Sequence, residues 1–534
     1  MIILAHFGDY IKGENCVNRL SIGVDIGTTN TKAVLYDENG RSLAHAQATY
    51  SLLTPDSDIA EQNPDDILEA VKTVLIKVIR MSHQVGSLSF IALSAQMHSL
   101  ILVNNKMAPI TKSITWADNR AKQCAERLKM HQKGMQIYHN TGTPIHAMSP
   151  LCKLLWLKET YPDLFKSAYK MIDIKTYIIY HLTEECVMDM SIASATGLFN
   201  IHHKEWDEDA LSLIELERHK LPHVVPTTHC LKVTEQVKNV LNLQDSIPLV
   251  IGASDGVLSN LGVNSIQPGE VAVTIGTSGA IRTVVKRPVL DPLGRTFCYI
   301  LDESHYVIGG PVNNGAVTLQ WLGEKVLHNP HHMDDCINYE DMLQQADSVP
   351  IGSDGLIFHP YLSGERAPIW SSNAKGSFIG LTLAHHQGHL VRAVMEGVLF
   401  NLYTVLMTLS QISNVTPTVI KATGGFSKNV LWRQMMSDIF NCQVIFPEDY
   451  ESSCLGAVIL GKKALGYQEI YQNLSHWVGS TFCHYPQDKH VKQYASLVLI
   501  FMDIQKRLLP TYDSIAALQQ QYTNTIDKRD RNDV

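Results

Sequence analysis

Residues 21–36 read SIGVDIGTTNTKAVLY: a β-rich run, a glycine-threonine turn and a second β-rich run. Small residues at the turn let the backbone approach a ligand, and Thr28, Thr29 and Lys32 add two hydroxyls and an ammonium to the turn's N–H groups. That donor set suits polyphosphate oxygens, although a plain polar β-turn is as good an account of this loop taken alone. Asp25 ends the first run. A carboxylate beside phosphate repels it unless a cation lies between them, so Asp25 points to Mg2+. The pattern returns about half a chain later: VDIGTT at 24–29 and VTIGTS at 273–278 both read V-x-I-G-T-[TS], each before a second β-rich run. The repeat implies two related domains, each with a phosphate-binding hairpin, the second carrying Gly276 and Thr277.

Outward from the hairpins, strands and helices alternate, an α/β pattern. Asn63-Pro64-Asp65-Asp66 opens a helix, with Asn63 as cap, Pro64 at the first position and acids at the positive end. Ile67, Ala70, Val71, Val74, Leu75 and Val78 give it an apolar face. The 534 residues are too many for one core. The expected division is an N-terminal extension (1–20), a first domain (21–262), a second (263–511) and a polar tail (512–534). The net charge is -8, with no basic stripe, so nucleic acid is not an expected partner. Ten cysteines without a C-x-x-C pair read as reduced thiols. The first residues make a poor signal peptide, and no run of 18 apolar residues suits a membrane span. A cytoplasmic location is therefore expected.

Several stretches can carry chemistry. Asp255 follows the apolar run IPLVIG and precedes a helical run, at a strand end where α/β sheets gather ligands. There a carboxylate can take the proton of a hydroxyl that attacks phosphorus; a helix cap is the plainer alternative. Gly252 to Gly256 also match G-x-S-x-G, the nucleophile elbow of serine hydrolases, with Ser254 as nucleophile. No HGGG-type oxyanion loop precedes it, and that account leaves both hairpins without a role. Residues 456–463, GAVILGKK, imitate a phosphate-binding loop but lack the final Ser/Thr and have an apolar, helix-like interior. Gln96, Met97 and His98 follow one strand, and Trp116, Asp118 and Arg120 another, offering paired donors and acceptors to a polyol. The pairs His202-His203, His331-His332 and His385-His386 lack a zinc-ligand pattern. Gly424 and Gly425, between a strand and a helix with Asn429, can let a flat ring lie on the backbone.

Together these pieces resemble the FGGY carbohydrate kinases, within the wider sugar kinase, actin and heat-shock ATPase fold. Residues 376–381 (GSFIGL), His389-Leu390 and 393–396 (AVME) look like the family's C-terminal signature, and 148–159 (MSPLCKLLWLKE) like its N-terminal one, with a departure at Thr160. The resemblance implies two ribonuclease H-like domains (the actin/hexokinase/heat-shock ATPase superfamily) with a cleft between them that closes over the substrates. It implies ATP and Mg2+, with Asp25 holding the ion through water. Thr28, Thr29, Lys32, Gly276 and Thr277 would face the phosphates; Gly424, Gly425, Asn429 and Gly315 would line the adenosine pocket. Asp255 would be the general base, and Gln96, Met97, His98 and Asp118 would touch a small sugar or sugar acid. Residues 141–150 (TGTPIHAMSP) look most like the gluconate kinases, with xylulose kinases close, so phosphorylation of D-gluconate is the expected reaction and a pentulose or other polyol the alternative. A carboxylate substrate wants a cationic partner, for which Arg120, Lys153, His98 and His146 are candidates. A homodimer is expected by analogy with the family only.

Overall fold

Alternating side chains give the first sheet two apolar faces, and each face recruits its own helices. Its strands are β1 (Arg19–Ile26), β2 (Asn30–Tyr36), β3 (Ser42–Thr49), β4 (Ser87–Ala95), β5 (Cys230–Lys232) and β6 (Pro248–Ser254). Leu20, Ile22, Val24 and Ile26 of β1, with Ile91 and Leu93 of β4, pack on Ile67, Val71, Val74 and Val78 of the helix Pro64–Ser82. Phe90 and Ala92 point the other way, to Val257, Leu258 and Leu261 of the helix Asp255–Gly262 and to Ala457 and Val458 of the helix Ser452–Ala464. Each such fully buried aliphatic side chain is worth about 1.5–3 kcal/mol relative to exposure. Asn63 accepts the N–H of Asp65 as the expected cap. The imitation phosphate loop lies inside the helix Ser452–Ala464.

The computed structural model describes residues 19–327, 339–447, 451–467, 469–472, 474–478 and 481–530. The expected extension (apart from Arg19 and Leu20) and His331-His332 lie outside them.

The first sheet runs β5-β6-β4-β1-β2-β3. β1 is antiparallel to β2 and parallel to β4, which is parallel to β6. A second sheet has β7 (Glu270–Ile275), β8 (Gly279–Val285), β9 (Phe297–Ile300), β10 (Tyr306–Val312), β11 (Val419–Thr423), β12 (Gln443–Pro447) and β13 (Thr481–His484), in the order β9-β10-β8-β7-β11-β12-β13. Apart from β9, it matches the first strand for strand: β7 takes the place of β1, and β11 and β12 follow in parallel as β4 and β6 do. The V-x-I-G-T repeat therefore marks a repeated topology.

Packing divides the described chain into two units. The first draws on the described residues within 19–268, 283–308 and 451–478, the second on those within 269–282, 309–447 and 481–530. The described residues of 283–308 and 451–478, which follow the boundary expected at 262/263, thus pack with the first unit. The stretch expected as a polar tail from 512 is helical as far as the helix Asp488–Asp530 extends. Tyr512 anchors it within the second unit: its side chain is buried and its hydroxyl meets Ser377 Oγ at 2.9 Å. The helix Gln387–Ser413 is long and apolar enough to cross a membrane by composition, but 83% of its most apolar window is buried in the protein, and Arg392 and Glu396 pair on it at 3.0 Å. It is a core helix.

Candidate active site

In the first unit, Ile26 of β1 lies opposite Ala95 of β4, and Ala95 opposite Ser254 of β6. Gly27, Gln96 and Asp255 thus leave the sheet at one edge, beyond the carboxyl ends of three parallel strands. Asp25 Oδ1 accepts from Ser94 Oγ (2.7 Å) and Oδ2 from Ser453 Oγ (2.8 Å). Burial pushes this carboxyl above the ordinary value and nearby Glu451 adds to that, while the two hydroxyls and Lys32 pull it down. Each oxygen keeps acceptor capacity beyond these bonds. Among the described residues no three His, Cys, Asp or Glu side chains gather as a metal cage. A divalent ion beside Asp25 would therefore have to take most of its ligands from phosphate and water, as Mg2+ does at nucleotide sites, and a single carboxylate with spare acceptor capacity fits that demand.

The hairpin donors differ in what they already bind. Thr28 Oγ1 donates to Gln96 Oε1 (3.0 Å) and accepts from Trp116 Nε1 (2.9 Å). Gln96 also donates to Gly27 O (3.3 Å) and Gln62 Oε1 (2.8 Å). Thr29 is exposed at the tip. Lys32 Nζ is paired with Glu451 at 2.8 Å.

Met97 is half-buried against the core. His98 is buried in a left-handed backbone conformation (φ 68°), uncommon for a residue with a Cβ. Its Nδ1 donates to Ala195 O at 2.7 Å, and its ring meets that of Tyr299 edge-on. Asp118 is buried, with both oxygens engaged: it accepts from Ala60 N (3.0 Å) and from Arg120 Nε (3.0 Å). Arg120 also pairs with Glu61 and lies 4.6 Å over the Trp156 ring. Lys153 is wholly buried, and its three N–H groups go to the carbonyls of His98 (2.6 Å), Ile114 (3.2 Å) and Thr115 (2.7 Å). That removes it as the partner of a substrate carboxylate and makes it the tie between the His98 and Trp116 segments. His146 Nδ1 accepts from Met148 N at 3.2 Å.

Asp255 is half-buried, opens its helix, and accepts the N–H of Gly256 at 2.6 Å. The strand end before it is anchored from below. Lys175 Nζ, buried and paired with Asp189 (2.8 Å), donates to Ala253 O at 3.0 Å. Ser254 Oγ faces Ser191 Oγ at 3.2 Å. A serine nucleophile needs a base such as imidazole or an amine at that position, and the Ser191 hydroxyl is too weak a base to serve, which weighs against the hydrolase alternative.

In the second unit, Thr277 is exposed on the hairpin, and it lines a cleft of about 920 Å³ with Leu319, Gln320, Gly425, Asn429 and Trp432. A drug-sized ligand fills such a volume. Gly315 sits against the back of the hairpin: its N–H donates to Thr277 O (3.0 Å), and a Cβ there would come 2.6 Å from the carbonyls of Gly276 and Ser278. Gly424 has φ +116°, and a Cβ on it would come 2.1 Å from Ile275 O, so only glycine lets this turn lie on β7. Around Gly425 there is open space. Asn429 caps the helix Val430–Phe440 through Trp432 N (2.9 Å).

The expected site residues thus gather in two sets: Asp25, Thr28, Thr29, Lys32, Gln96, Met97, His98, Asp118 and Asp255 in the first unit, and Gly276, Thr277, Gly315, Gly424, Gly425 and Asn429 in the second. Sequence reasoning missed Gln62, Ser94, Lys175 and Asp189, whose own residue types and spacing fit no ligand or catalytic pattern. It also missed Ser453 and Glu451, which reach Asp25 and Lys32 from more than 400 residues along the chain.

The sequence profiles of the FGGY family of carbohydrate kinases match in order, the N-terminal domain over residues 20–262 and the C-terminal domain over 271–465. The chain is 45% identical over 506 residues to the gluconokinase of Bacillus subtilis (strain 168), covering 93% of this chain and 98% of the relative. Among solved structures it resembles a gluconate kinase from Lactobacillus acidophilus (37% identity, TM-score 0.88) and a ligand-bound xylulose kinase from the same organism (38%, 0.87), each over 93% of this chain and 100% of the other. A doubled strand order, a carboxylate at a strand end and these near full-length likenesses agree: the chain belongs to the FGGY family of carbohydrate kinases.

Proposed function

We propose that this kinase transfers the γ-phosphoryl group of ATP to the 6-hydroxyl of D-gluconate. The near full-length likeness to the Bacillus gluconokinase carries the choice of acceptor. In this reading the first unit holds the sugar acid and its base, and the second holds the nucleotide. Asp255 accepts the proton as the hydroxyl oxygen bonds to the γ-phosphorus and the bond from that phosphorus to the β,γ-bridging oxygen breaks, releasing ADP. Gln96, Met97, His98 and Asp118 shape the acceptor side, with Asp118 acting through Arg120. Thr28, Thr29, Gly276 and Thr277 face the phosphates, and Lys32 reaches them by exchanging Glu451 for phosphate. Gly424, Gly425 and Asn429 border the adenosine cleft, with Gly315 behind it. Asp25 would hold Mg2+ through water, and the ion would supply neutralisation of the phosphate charge.

The described cysteines are all free, which supports a reducing, cytoplasmic setting. The likeness to a xylulose kinase structure favours D-xylulose as the second reading. A coupled ADP assay over gluconate, xylulose, ribulose and glycerol decides. Gluconate is expected to give the highest kcat/KM, and preference for a ketopentose overturns the choice of acceptor.

A further inference from the structure

A wholly internal carboxylate in the second unit has no part in the scheme above. Glu365 is 1% exposed, and both of its oxygens are used twice. Oε1 accepts from the backbone N–H groups of Asn313 and Arg366 (the latter 2.8 Å); Oε2 accepts from Asn314 Nδ2 (3.1 Å) and Asn401 Nδ2 (2.9 Å). Four N–H donors converge on one carboxylate, and the anion accepts from all four. A carboxamide would turn its NH2 hydrogens towards two of them, and a carboxylic acid would turn its one hydrogen towards one. Burial works against that anion and lifts the carboxyl to about 7, against the downward pull of the Asn313 N–H, the Asn314 amide and, behind them, Arg366. An internal charge kept at such a cost is informative when what it holds can be named.

What it holds is the turn after β10. Asn314 Nδ2 also donates to Gly364 O (2.7 Å), Asn314 Oδ1 accepts from Ser363 N (3.2 Å), and Asn313 Nδ2 donates to Ser363 O (3.0 Å). The turn is thereby strapped to residues 363–366. Its next residue, Gly315, lies on the Gly276–Ser278 loop, bonded to Thr277 O, while Ala316 N donates to Gly276 O (2.8 Å). An unbroken chain of contacts runs from the carboxylate to the hairpin.

We propose that Glu365 is a positioning residue: as an anion it fixes the 313–315 turn, and through it the Gly276-Thr277 loop that receives the nucleotide's phosphates. The proposal rests on the reading of that loop as the phosphate site. Unsatisfied internal donors cost enough to move an equilibrium by about five- to a hundredfold. The Glu365→Gln variant should therefore lose that much affinity for MgADP in calorimetry and raise KM for ATP to match, with KM for gluconate changing less than about twofold. A merely structural carboxylate would lower the melting temperature and leave the nucleotide constants alone, and that result overturns the proposal. Should Glu365→Gln not fold, Asn314→Ala cuts the same link from the turn's side and should show the same selective loss; unchanged ADP affinity in it is equally fatal. If the wild type binds no MgADP, the phosphate-site reading falls and the proposal with it. Wild-type ADP binding that survives intact in the variants removes the proposal alone.

Discussion

In the first unit a buried cation, Lys153, collects three carbonyls from segments that lead into His98 and Trp116. In the second, a buried anion, Glu365, collects four N–H donors behind the Gly276 hairpin. Among the described residues neither forms an ion pair within 4.0 Å, and burial moves both to about 7, the lysine downward and the glutamate upward. The contrast shows that the sign of an internal charge follows the backbone groups turned towards it. Loops that point carbonyls inward need a cation, and loops that point N–H groups inward need an anion. The hairpins differ in the same spirit. At Gly27 the Thr28 hydroxyl and the Lys32 ammonium are bound within the protein, whereas at Gly276 the threonine faces a cleft.

If Asp255 of the first unit does the acceptor chemistry and the Gly276 hairpin of the second holds the nucleotide, mutations at these two places should separate cleanly. The largest effect belongs to Asp255→Asn, which should lower kcat by about 10²–10⁴ while MgADP affinity by calorimetry stays within about twofold. Ser254→Ala should keep most activity, and a reversed pair of results breaks the assignment of roles. Next comes Gly315→Ala. Its methyl group meets two hairpin carbonyls, so nucleotide affinity should drop about ten- to a hundredfold with little change in the KM for gluconate. Equal losses on both substrates would erase the contrast between the units.

The two internal charges predict opposite pH slopes of stability. For Glu365 the folded state binds its proton more tightly than the unfolded chain between about 4.5 and 7, so stability falls as pH rises through that window. For Lys153 the unfolded chain binds the proton more tightly between about 7 and 10.5, so stability rises with pH there; Asp118 opposes this shift and Arg120 reinforces it. Each slope is at most about 1.4 kcal/mol per pH unit. Urea melts of Glu365→Gln and Lys153→Met should each lose only their own slope, and a shared loss would mean the two groups are not independent. The smallest effect is expected from Glu451→Gln. It frees Lys32 from a half-exposed pair worth at most about 1 kcal/mol, so the melting temperature should hardly move while the KM for ATP falls about two- to fivefold. A rise in that KM would show Glu451 itself serving the nucleotide.

Much of this was legible in the residues alone. The paired V-x-I-G-T turns marked the repeated strand order, and Asn63-Pro64 marked a helix start, because turn geometry and caps are local and residue-specific. The place of Asp255 was legible as a carboxylate at a strand end. Lys153 was visible only as a charged residue in a helical signature and was offered as a substrate partner, since nothing in its neighbours reveals which carbonyls will surround it. Residues 512–530 looked like a tail because their polarity outweighs the anchors at Tyr512 and Asp513, whose partners Ser377 and Asn373 lie far away in sequence.

The sequence by itself determined the two α/β repeats, their glycine turns and the residue types at the strand ends, all consequences of short-range conformational preference and hydrophobic alternation. Only the tertiary structure decided which of those side chains are spoken for. Lys32 meets Glu451, Asp25 meets Ser453, and Glu365 gathers Asn313, Asn314 and Asn401, because such pairings depend on where distant segments pack and on the desolvation that packing imposes.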